Sequence, residues 1–141
     1  MPKNSTDDMG NDADVVTVAI AIVLSGGKVL VGKRRSDADL GGFDEFPGGK
    51  VDEHESPERA AVRECLEETG LSIETDRRLD IVQHQYDHAS VSLHFFLCSL
   101  PATVDSSDNL KAPFRWVPVA KLNECNFPPA NDSIIAALMR T

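Results

Sequence analysis

A dense group of acidic residues lies in one short stretch of this chain, residues 49–71, with the sequence GKVDEHESPERAAVRECLEETGL. Glu64, Glu67 and Glu68 have the i, i+3, i+4 spacing that places side chains on one face of a helix. Like charges at this spacing repel one another, and a hard divalent cation bound by oxygen ligands would neutralise them. Glu55, in the loop before the helix, is a fourth candidate ligand. The pattern indicates a site for Mg²⁺, with Mn²⁺ as a substitute, and the alternative is an acidic helix face exposed to water.

The helix that carries these acids has recognisable ends and an apolar side. Ser56 is a favoured N-cap residue, and Pro57 suits the first helical position, where its missing N–H is not needed. Gly70 suits the left-handed residue that ends many helices. Four apolar residues are predicted to form the buried stripe: Ala61, Val62, Cys65 and Leu66. Such a helix would pack through its apolar side and hold the acids on the other side, which disfavours the solvated-face alternative.

The residues of this stretch resemble the Nudix box at every glycine and charged position. The matching residues are Gly49, Glu55, Arg63, Glu64, Glu67, Glu68, Gly70 and Leu71. Cys65 stands where that family usually has a bulky aliphatic residue, and we expect this change to affect packing rather than chemistry. The resemblance covers about residues 15–140 and implies an α+β fold, a Nudix-type α-β-α sandwich with a mixed sheet between helices.

The resemblance also implies a reaction and a set of site residues. Nudix enzymes cleave a nucleoside diphosphate linked to another group, with divalent cations bound at the box. The implied catalytic residues are Glu55, Arg63, Glu64, Glu67 and Glu68, and the implied metal ligands are Glu64, Glu67, Glu68 and the backbone carbonyl of Gly48. The two catalytic residues outside the ligand set would orient the ligands. The catalytic base is left open between Glu64, Glu68 and a loop aspartate, either Asp105 or Asp108.

Two further runs resemble the MutT branch of this family, the 8-oxo-dGTP diphosphatases. EFPGGK at residues 45–50 is shared with other Nudix enzymes, whereas FPPAN at residues 127–131 is the more informative run. The resemblance assigns base recognition to Asn131 and further substrate contacts to Arg35, Phe46 and Lys50. For the lysine, a contact with the polyphosphate and a solvated loop position are equal alternatives.

An asparagine has the right groups for recognising the oxidised base. Oxidation at C8 of guanine places a hydrogen on N7 beside the acceptor O6, and a side-chain amide offers an acceptor and a donor side by side. Unmodified guanine would instead point a lone pair at the amide oxygen. We therefore expect Asn131 to distinguish 8-oxo-dGTP from dGTP, and its alternative role is to cap the last helix. Hydrolysis to the monophosphate and pyrophosphate would remove a mutagenic precursor from the nucleotide pool.

Two other functions stay open on the sequence alone. The first is a Nudix pyrophosphohydrolase of pyrimidine triphosphates such as CTP or 5-methyl-dCTP, which shares the box but is expected to lack FPPAN. The second is a non-catalytic nucleotide-binding Nudix module. The complete set of box glutamates in this chain disfavours the second.

Length and composition bound the remaining possibilities. The 141 residues, 41% hydrophobic and 26% charged, suit one domain at 15–141 after a disordered tail at 1–14. The net charge of −9 argues against binding to nucleic acid or an anionic membrane, and the longest apolar run is too short to cross a bilayer. Three cysteines without C-x-x-C spacing and a polar N-terminus predict a cytoplasmic protein. We expect a monomer whose partner is a nucleoside triphosphate substrate.

The elements predicted along the chain have an order that fits the sandwich. Five strands are predicted, at Val15–Leu24, Val29–Lys33, Leu79–Tyr86, Val91–Leu100 and Phe114–Val117. The first two would form a hairpin through Ser25–Lys28, and the next two would form an antiparallel pair through Asp87–Ser90. A helical turn at Pro118–Leu122 and a closing amphipathic helix at 131–140 complete the order.

Overall fold

The computed structural model describes residues 15–37, 41–85, 89–107 and 110–140. The predicted tail at 1–14, the candidate base Asp108 and the first half of the turn predicted at Asp87–Ser90 lie outside the described residues.

A mixed sheet of seven strands forms the middle of the described structure. The strands are β1 (Val15–Ser25), β2 (Lys28–Lys33), β3 (Asp44–Glu45), β4 (Gly48–Lys50), β5 (Glu74–Gln85), β6 (Ser90–Ser99) and β7 (Arg115–Pro118). Their main order is β3-β2-β1-β6-β5, with β4 paired to β1 and β7 paired to β2. The β1–β6 pairing is parallel and the others are antiparallel. The predicted α+β class with a mixed sheet is therefore confirmed.

Helices cover both faces of this sheet. The first helix, α1, spans Pro57–Thr69, and the last, α2, spans Asp132–Met139, with two 3-10 helices before it at Val119–Glu124 and Pro129–Asn131. Within the described residues, no helix combines the length and the apolar character that a membrane crossing requires.

Strand β1 is central because its side chains are small or branched and apolar on both faces. Ala19, Ala21 and Val23 are fully buried in the cluster that includes α1. Ile22 points into the second cluster, which includes Leu138 of α2. Small alanines on the first face allow α1 to approach the sheet closely, and this approach brings the acidic side of α1 to the edge of β4.

The first hairpin forms at the predicted turn. Gly26 and Gly27 have φ values of 58° and 75°, a left-handed conformation that glycine adopts without steric cost. Two consecutive left-handed residues match the twist of the flanking strands, which is why such turns favour tight hairpins. The result is the antiparallel pairing of β1 and β2, with Leu24 opposite Val29.

Helix α1 begins and ends where the sequence predicts. The Ser56 hydroxyl accepts a hydrogen bond from the Arg59 backbone N–H at 3.1 Å. Gly70 has φ 85° and donates its N–H to the Leu66 carbonyl at 3.0 Å. Both ends are therefore closed by local hydrogen bonds, so the helix register that aligns Glu64, Glu67 and Glu68 is fixed.

The buried stripe of α1 differs from the prediction at one position. Leu66 is 46% exposed, whereas Thr69 is fully buried beside Cys65. The Thr69 hydroxyl donates to the Cys65 carbonyl at 2.7 Å and accepts from the Leu71 N–H at 3.1 Å. A threonine satisfied by its own backbone can therefore occupy the core, and the helix is rotated so that Leu66 faces outwards.

The other predicted strands and helices are present with shifted bounds. Strand β5 starts at Glu74, five residues before the predicted Leu79, because hydrogen bonds to β6 rather than an apolar pattern hold its charged first half. The short strands β3 and β4 were not predicted, since each is defined by pairing with a distant strand. The predicted helical turn and closing helix correspond to the 3-10 helix at Val119–Glu124 and to α2.

Replacing Thr69 with valine should destabilise the protein by about 1–3 kcal/mol, because the buried Leu71 N–H would lose its acceptor. Urea denaturation measures this change. The matched control is Thr103→Val at an exposed threonine, for which we expect a change within about 0.5 kcal/mol. Equal effects of the two substitutions would contradict this account of the stripe.

Candidate functional site

Arg63 and Glu55 form the strongest ion pair at the acidic face of α1. Arg63 Nε donates to Glu55 Oε2 at 2.7 Å, and Nη2 donates to Glu55 Oε1 at 3.0 Å. The Asp52 backbone N–H adds a third hydrogen bond to Glu55 at 3.0 Å. These bonds, the arginine first, lower the pKa of Glu55 to about 2 and raise the pKa of Arg63. Glu55 is therefore a fixed anion that orients the arginine.

The same guanidinium reaches the helix and the neighbouring strand. Arg63 Nη1 lies 3.3 Å from Glu64 and 3.4 Å from Glu67, and Nη2 donates to the Lys50 carbonyl at 3.2 Å. Because Lys50 belongs to β4, one side chain joins the strand and the acidic face of α1. The structure brings together Glu55, Arg63, Glu64 and Glu67, four of the residues that the resemblance to the box singled out.

Two glycines allow β4 to lie against the glutamates. A Cβ atom on Gly49 would stand 2.4 Å from the carboxylate of Glu64, and one on Gly48 would stand 2.4 Å from the Ala19 carbonyl. The Gly48 N–H donates to Glu68 Oε1 at 3.1 Å. A larger side chain at position 48 would therefore collide with the β1 backbone, and one at position 49 would displace the Glu64 carboxylate.

Glu68 is a carboxylate whose pKa lies well above its ordinary value. Burial is the main cause that raises its pKa to about 7, and the charges of Glu64, Glu45 and Glu67 raise it further. The hydrogen bond from Gly48 opposes the shift. Burial also raises the pKa of Glu64. Three carboxylates, Glu55, Glu64 and Glu67, share the single positive charge of Arg63, so the negative charge at this face exceeds what Arg63 neutralises.

The chemistry of these donors suits a hard cation, but their positions are not those of a preformed site. Among the described residues, no three His, Cys, Asp or Glu side chains are grouped so as to hold a metal ion. Glu64 and Glu67 point to Arg63, and Glu68 points to the Gly48 N–H. All the donors are oxygens, and their repulsion is what a divalent cation relieves. The assignment of Glu64, Glu67, Glu68 and the Gly48 carbonyl as ligands stays a prediction.

Arg34 lies closer to this cluster than Arg35, the arginine that the sequence singled out. Arg35 is 83% exposed at its side chain and pairs with Asp37 at 3.4 Å. Arg34 Nη1 donates to Glu45 at 3.2 Å, and Glu45 is one of the charges that act on Glu68. Because the two arginines are adjacent in sequence, their own positions do not distinguish them. The only signal in the sequence is Glu45, the acid to which Arg34 bonds.

Phe46 and Asn131, the residues predicted to contact the base, have different partners in the structure. Phe46 is 6% exposed and stacks on Phe127 with ring centroids 4.5 Å apart and an interplanar angle of 21°. Asn131 precedes α2, but its side chain makes no cap hydrogen bond. Its Nδ2 donates instead to the Pro128 carbonyl at 3.2 Å. Side-chain capping, the alternative role for Asn131, is therefore not what the structure shows.

Lys50 lies in the wall of an open cleft. Its side chain is exposed, and the cleft has a volume of about 510 Å³ with Thr17, Glu55 and Pro57 also in its wall. Phe46 and Asn131 do not line this cleft. Lys50 therefore stands nearer the acidic face than the aromatic stack, and its contact with the polyphosphate stays a prediction.

The raised pKa of Glu68 predicts a pH dependence of stability in metal-free protein. Burial in the folded state favours protonated Glu68. Its contribution to the free energy of unfolding is therefore fully present below pH 4.5, the ordinary pKa, and is lost as the pH rises through about 7. When the pH is raised from 5 to 7.5, wild type should lose about 1–3 kcal/mol of stability relative to Glu68→Gln, after allowance for partial exposure. Urea denaturation in EDTA at both pH values measures this. Glu67→Gln, on the exposed side of the helix, is the control, and wild-type and Glu68→Gln curves that stay parallel would contradict the prediction.

Comparison with known proteins shows the family of this chain. The NUDIX domain family matches residues 18–137. The chain is 30% identical to the 8-oxo-dGTP diphosphatase of Escherichia coli (strain K12) over 124 residues, which cover 87% of this chain and 95% of that protein. It is 34% identical to the CTP pyrophosphohydrolase of the same strain over 80 residues, 57% of this chain and 59% of that protein.

A solved structure extends the agreement to the fold. The solution structure of MutT from methicillin-resistant Staphylococcus aureus 252, described as a DNA mismatch repair protein of the Nudix hydrolase family, has a TM-score of 0.71 and 28% identity. The alignment covers 89% of this chain and 96% of that one. Since the family match spans most of the chain and every charged position of the box is filled, this protein belongs to the Nudix hydrolase family.

Proposed function

We propose that this protein hydrolyses 8-oxo-dGTP to the monophosphate and pyrophosphate, with Mg²⁺ as its cation and Mn²⁺ as a substitute. The observation that carries the proposal is the Asn131 side chain, which bonds to the Pro128 carbonyl instead of capping α2. Asn131 follows Phe127, the partner of Phe46 in the aromatic stack, by four residues. Similarity to the E. coli 8-oxo-dGTP diphosphatase over nearly its full length supports the same substrate. The reaction would remove a mutagenic precursor from the nucleotide pool.

The orientation of Asn131 suits the oxidised base. Because one Nδ2 hydrogen bonds to the Pro128 carbonyl, the amide plane is fixed with Oδ1 on the other side. Oδ1 then accepts from N7–H of 8-oxoguanine, and the second Nδ2 hydrogen donates to O6. Guanine lacks the hydrogen on N7, so its lone pair would face Oδ1, at a cost of about 1–3 kcal/mol.

The phosphates of the substrate would lie at the acidic face of α1. A bound divalent cation there draws negative charge from the phosphate oxygens and increases the acidity of a bound water. Glu64, Glu67, Glu68 and the Gly48 carbonyl would hold the cation. Arg63 and Glu55 keep the loop before α1 and strand β4 in place, so the carboxylates are restricted to one region when substrate arrives.

The catalytic base would come from α1. The loop candidate Asp105 accepts hydrogen bonds from the Ser107 N–H at 2.9 Å and from its hydroxyl at 2.7 Å. These bonds lower the pKa of Asp105 and make it a weaker base. Glu64 and Glu68 are therefore favoured over Asp105 for accepting the proton of the attacking water, whereas the other loop candidate, Asp108, lies outside the described residues.

A pyrimidine triphosphate is the second candidate substrate. The similarity to the CTP pyrophosphohydrolase of E. coli favours it, although that match covers 57% of this chain. The Nudix box and the acidic face would serve either substrate equally. Recognition of the base is therefore where the two functions diverge.

The box glutamates should be needed for turnover. Glu67→Gln should lower pyrophosphate release from 8-oxo-dGTP in Mg²⁺ about 100-fold or more. The substitution removes one anionic ligand of the cation that would stabilise the phosphate charge. The control is Glu53→Gln, an exposed acid of the preceding loop outside the box pattern, which should retain wild-type activity. Undiminished turnover in Glu67→Gln would show that the metal assignment is wrong.

Base recognition is tested with equal panels of 8-oxo-dGTP, dGTP, CTP and 5-methyl-dCTP, compared as kcat/KM. We expect wild type to prefer 8-oxo-dGTP, and Asn131→Ala to lose about 10- to 100-fold on that substrate alone, the equivalent of the amide hydrogen bonds. Asn123→Ala, an exposed asparagine of the preceding 3-10 helix, is the matched control. If kcat/KM of wild type were highest for CTP or 5-methyl-dCTP, the result would favour the second candidate substrate, a pyrimidine triphosphate, over 8-oxo-dGTP.

A further inference from the structure

We infer that Asp44 is a positioning residue for base selectivity, because it fixes the segment 126–131 that carries Asn131. The inference rests on the proposed function and deepens it. Asp44 lies in β3, two residues before Phe46, and is 4% exposed. It belongs to neither the Nudix box nor the FPPAN run, so neither motif accounts for it.

A reciprocal pair of hydrogen bonds joins Asp44 to Asn126. The Asn126 backbone N–H donates to Asp44 Oδ2 at 2.8 Å, and the Asp44 backbone N–H donates to the Asn126 carbonyl at 2.9 Å. The two residues are 82 positions apart in sequence. Strand β3 and the start of the 126–131 segment are therefore held together through both side chain and backbone.

Cations on β2 and β7 complete the surroundings of this carboxylate. Arg115 Nη2 donates to Asp44 Oδ1 at 2.9 Å, and Lys33 Nζ lies 3.9 Å from the same oxygen. Arg115 is itself held by the Val31 and Gly32 carbonyls at 3.4 and 3.3 Å. Burial alone would raise the pKa of Asp44, but the hydrogen bonds from Asn126 and Arg115 hold it below the ordinary value. The carboxylate is thus a charged, fully bonded anchor.

The anchor acts on Asn131 through a short, stiff stretch of chain. Phe127 follows Asn126 and stacks on Phe46, so two contacts fix the start of the segment. Pro128 and Pro129 then restrict the backbone, since each proline ring locks its own φ. The Pro128 carbonyl receives the Asn131 amide directly. A shift at Asn126 would therefore be transmitted to the amide that reads the base.

The phosphate end of the site is fixed by other contacts. Arg63 and Glu55 hold α1 to β4, and neither bonds to Asp44 in the described structure. Loss of the Asp44 anchor should thus weaken discrimination between bases and leave the hydrolytic step intact. A residue needed only for folding would lower activity on every nucleotide by the same factor.

The test is Asp44→Asn, which keeps the size of the side chain but removes its charge. The new side-chain NH2 group must face either Arg115 or the Asn126 N–H. Because both of these groups are donors, one of the two hydrogen bonds is lost. We expect the ratio of kcat/KM for 8-oxo-dGTP over dGTP to fall about 10-fold, through KM, with kcat changed less than about 2-fold. Calorimetry without metal should show the same loss in the preference for 8-oxo-dGMP over dGMP.

The control is Asn126→Ala, which removes an exposed side chain and keeps both backbone hydrogen bonds. Its substrate ratio should equal that of wild type. Should Asp44→Asn fail to fold, Arg115→Gln removes one partner of the carboxylate and should lower the same ratio to a smaller extent. An unchanged ratio in a folded Asp44→Asn protein, or in Arg115→Gln when Asp44→Asn is unfolded, overturns the inference.

The same panel separates this inference from the proposed function. A wild-type protein without preference for 8-oxo-dGTP over dGTP removes the proposed function and the inference that rests on it. A wild-type protein with that preference, which Asp44→Asn retains, leaves the proposed function standing and removes only the role of Asp44.

Discussion

Repulsion among the carboxylates of α1 is the constraint on which the rest of the structure depends, and Arg63 is the residue that meets it. Its guanidinium bonds to Glu55, approaches Glu64 and Glu67, and donates to the Lys50 carbonyl. Because these partners belong to the loop before α1, the helix and β4, neutralising the charge also joins the three elements. The neutralisation is incomplete, because Glu55, Glu64 and Glu67 share this one guanidinium and Glu68 bonds to the Gly48 N–H instead. The remaining negative charge is the physical reason why the site would attract a cation.

The arrangement also requires that backbone and helix approach closely. Strand β1 contributes alanines under α1, and β4 contributes Gly48 and Gly49 where a Cβ would collide with Ala19 or Glu64. Phe46 and Gly48 are only two residues apart, so the aromatic stack and the acidic face are ends of one short segment. A nucleotide substrate, with its base at the aromatic stack and its phosphates at the acidic face, would match this arrangement. This is the structural basis for the proposed reaction.

The sequence by itself determined the local geometry of α1. The positions of Ser56, Pro57 and Gly70 predicted its ends, and the i, i+3, i+4 spacing predicted its acidic face, because hydrogen bonds within four residues set helix geometry. The α+β class and the hairpin at Gly26–Gly27 followed from similarly local patterns. Each of these features depends on residues that are close together in the chain.

Only the tertiary structure decided which side chains meet across long distances. It turned Arg34 inwards and left Arg35 exposed, and it buried Thr69 in place of Leu66. It also joined Asp44 to Asn126. Adjacent residues of the same type look alike in sequence, and contacts between residues 82 positions apart leave no local pattern. Their outcome depends on how the packed sheet places each element, because burial and hydrogen-bond partners are set there and not by neighbours in the chain.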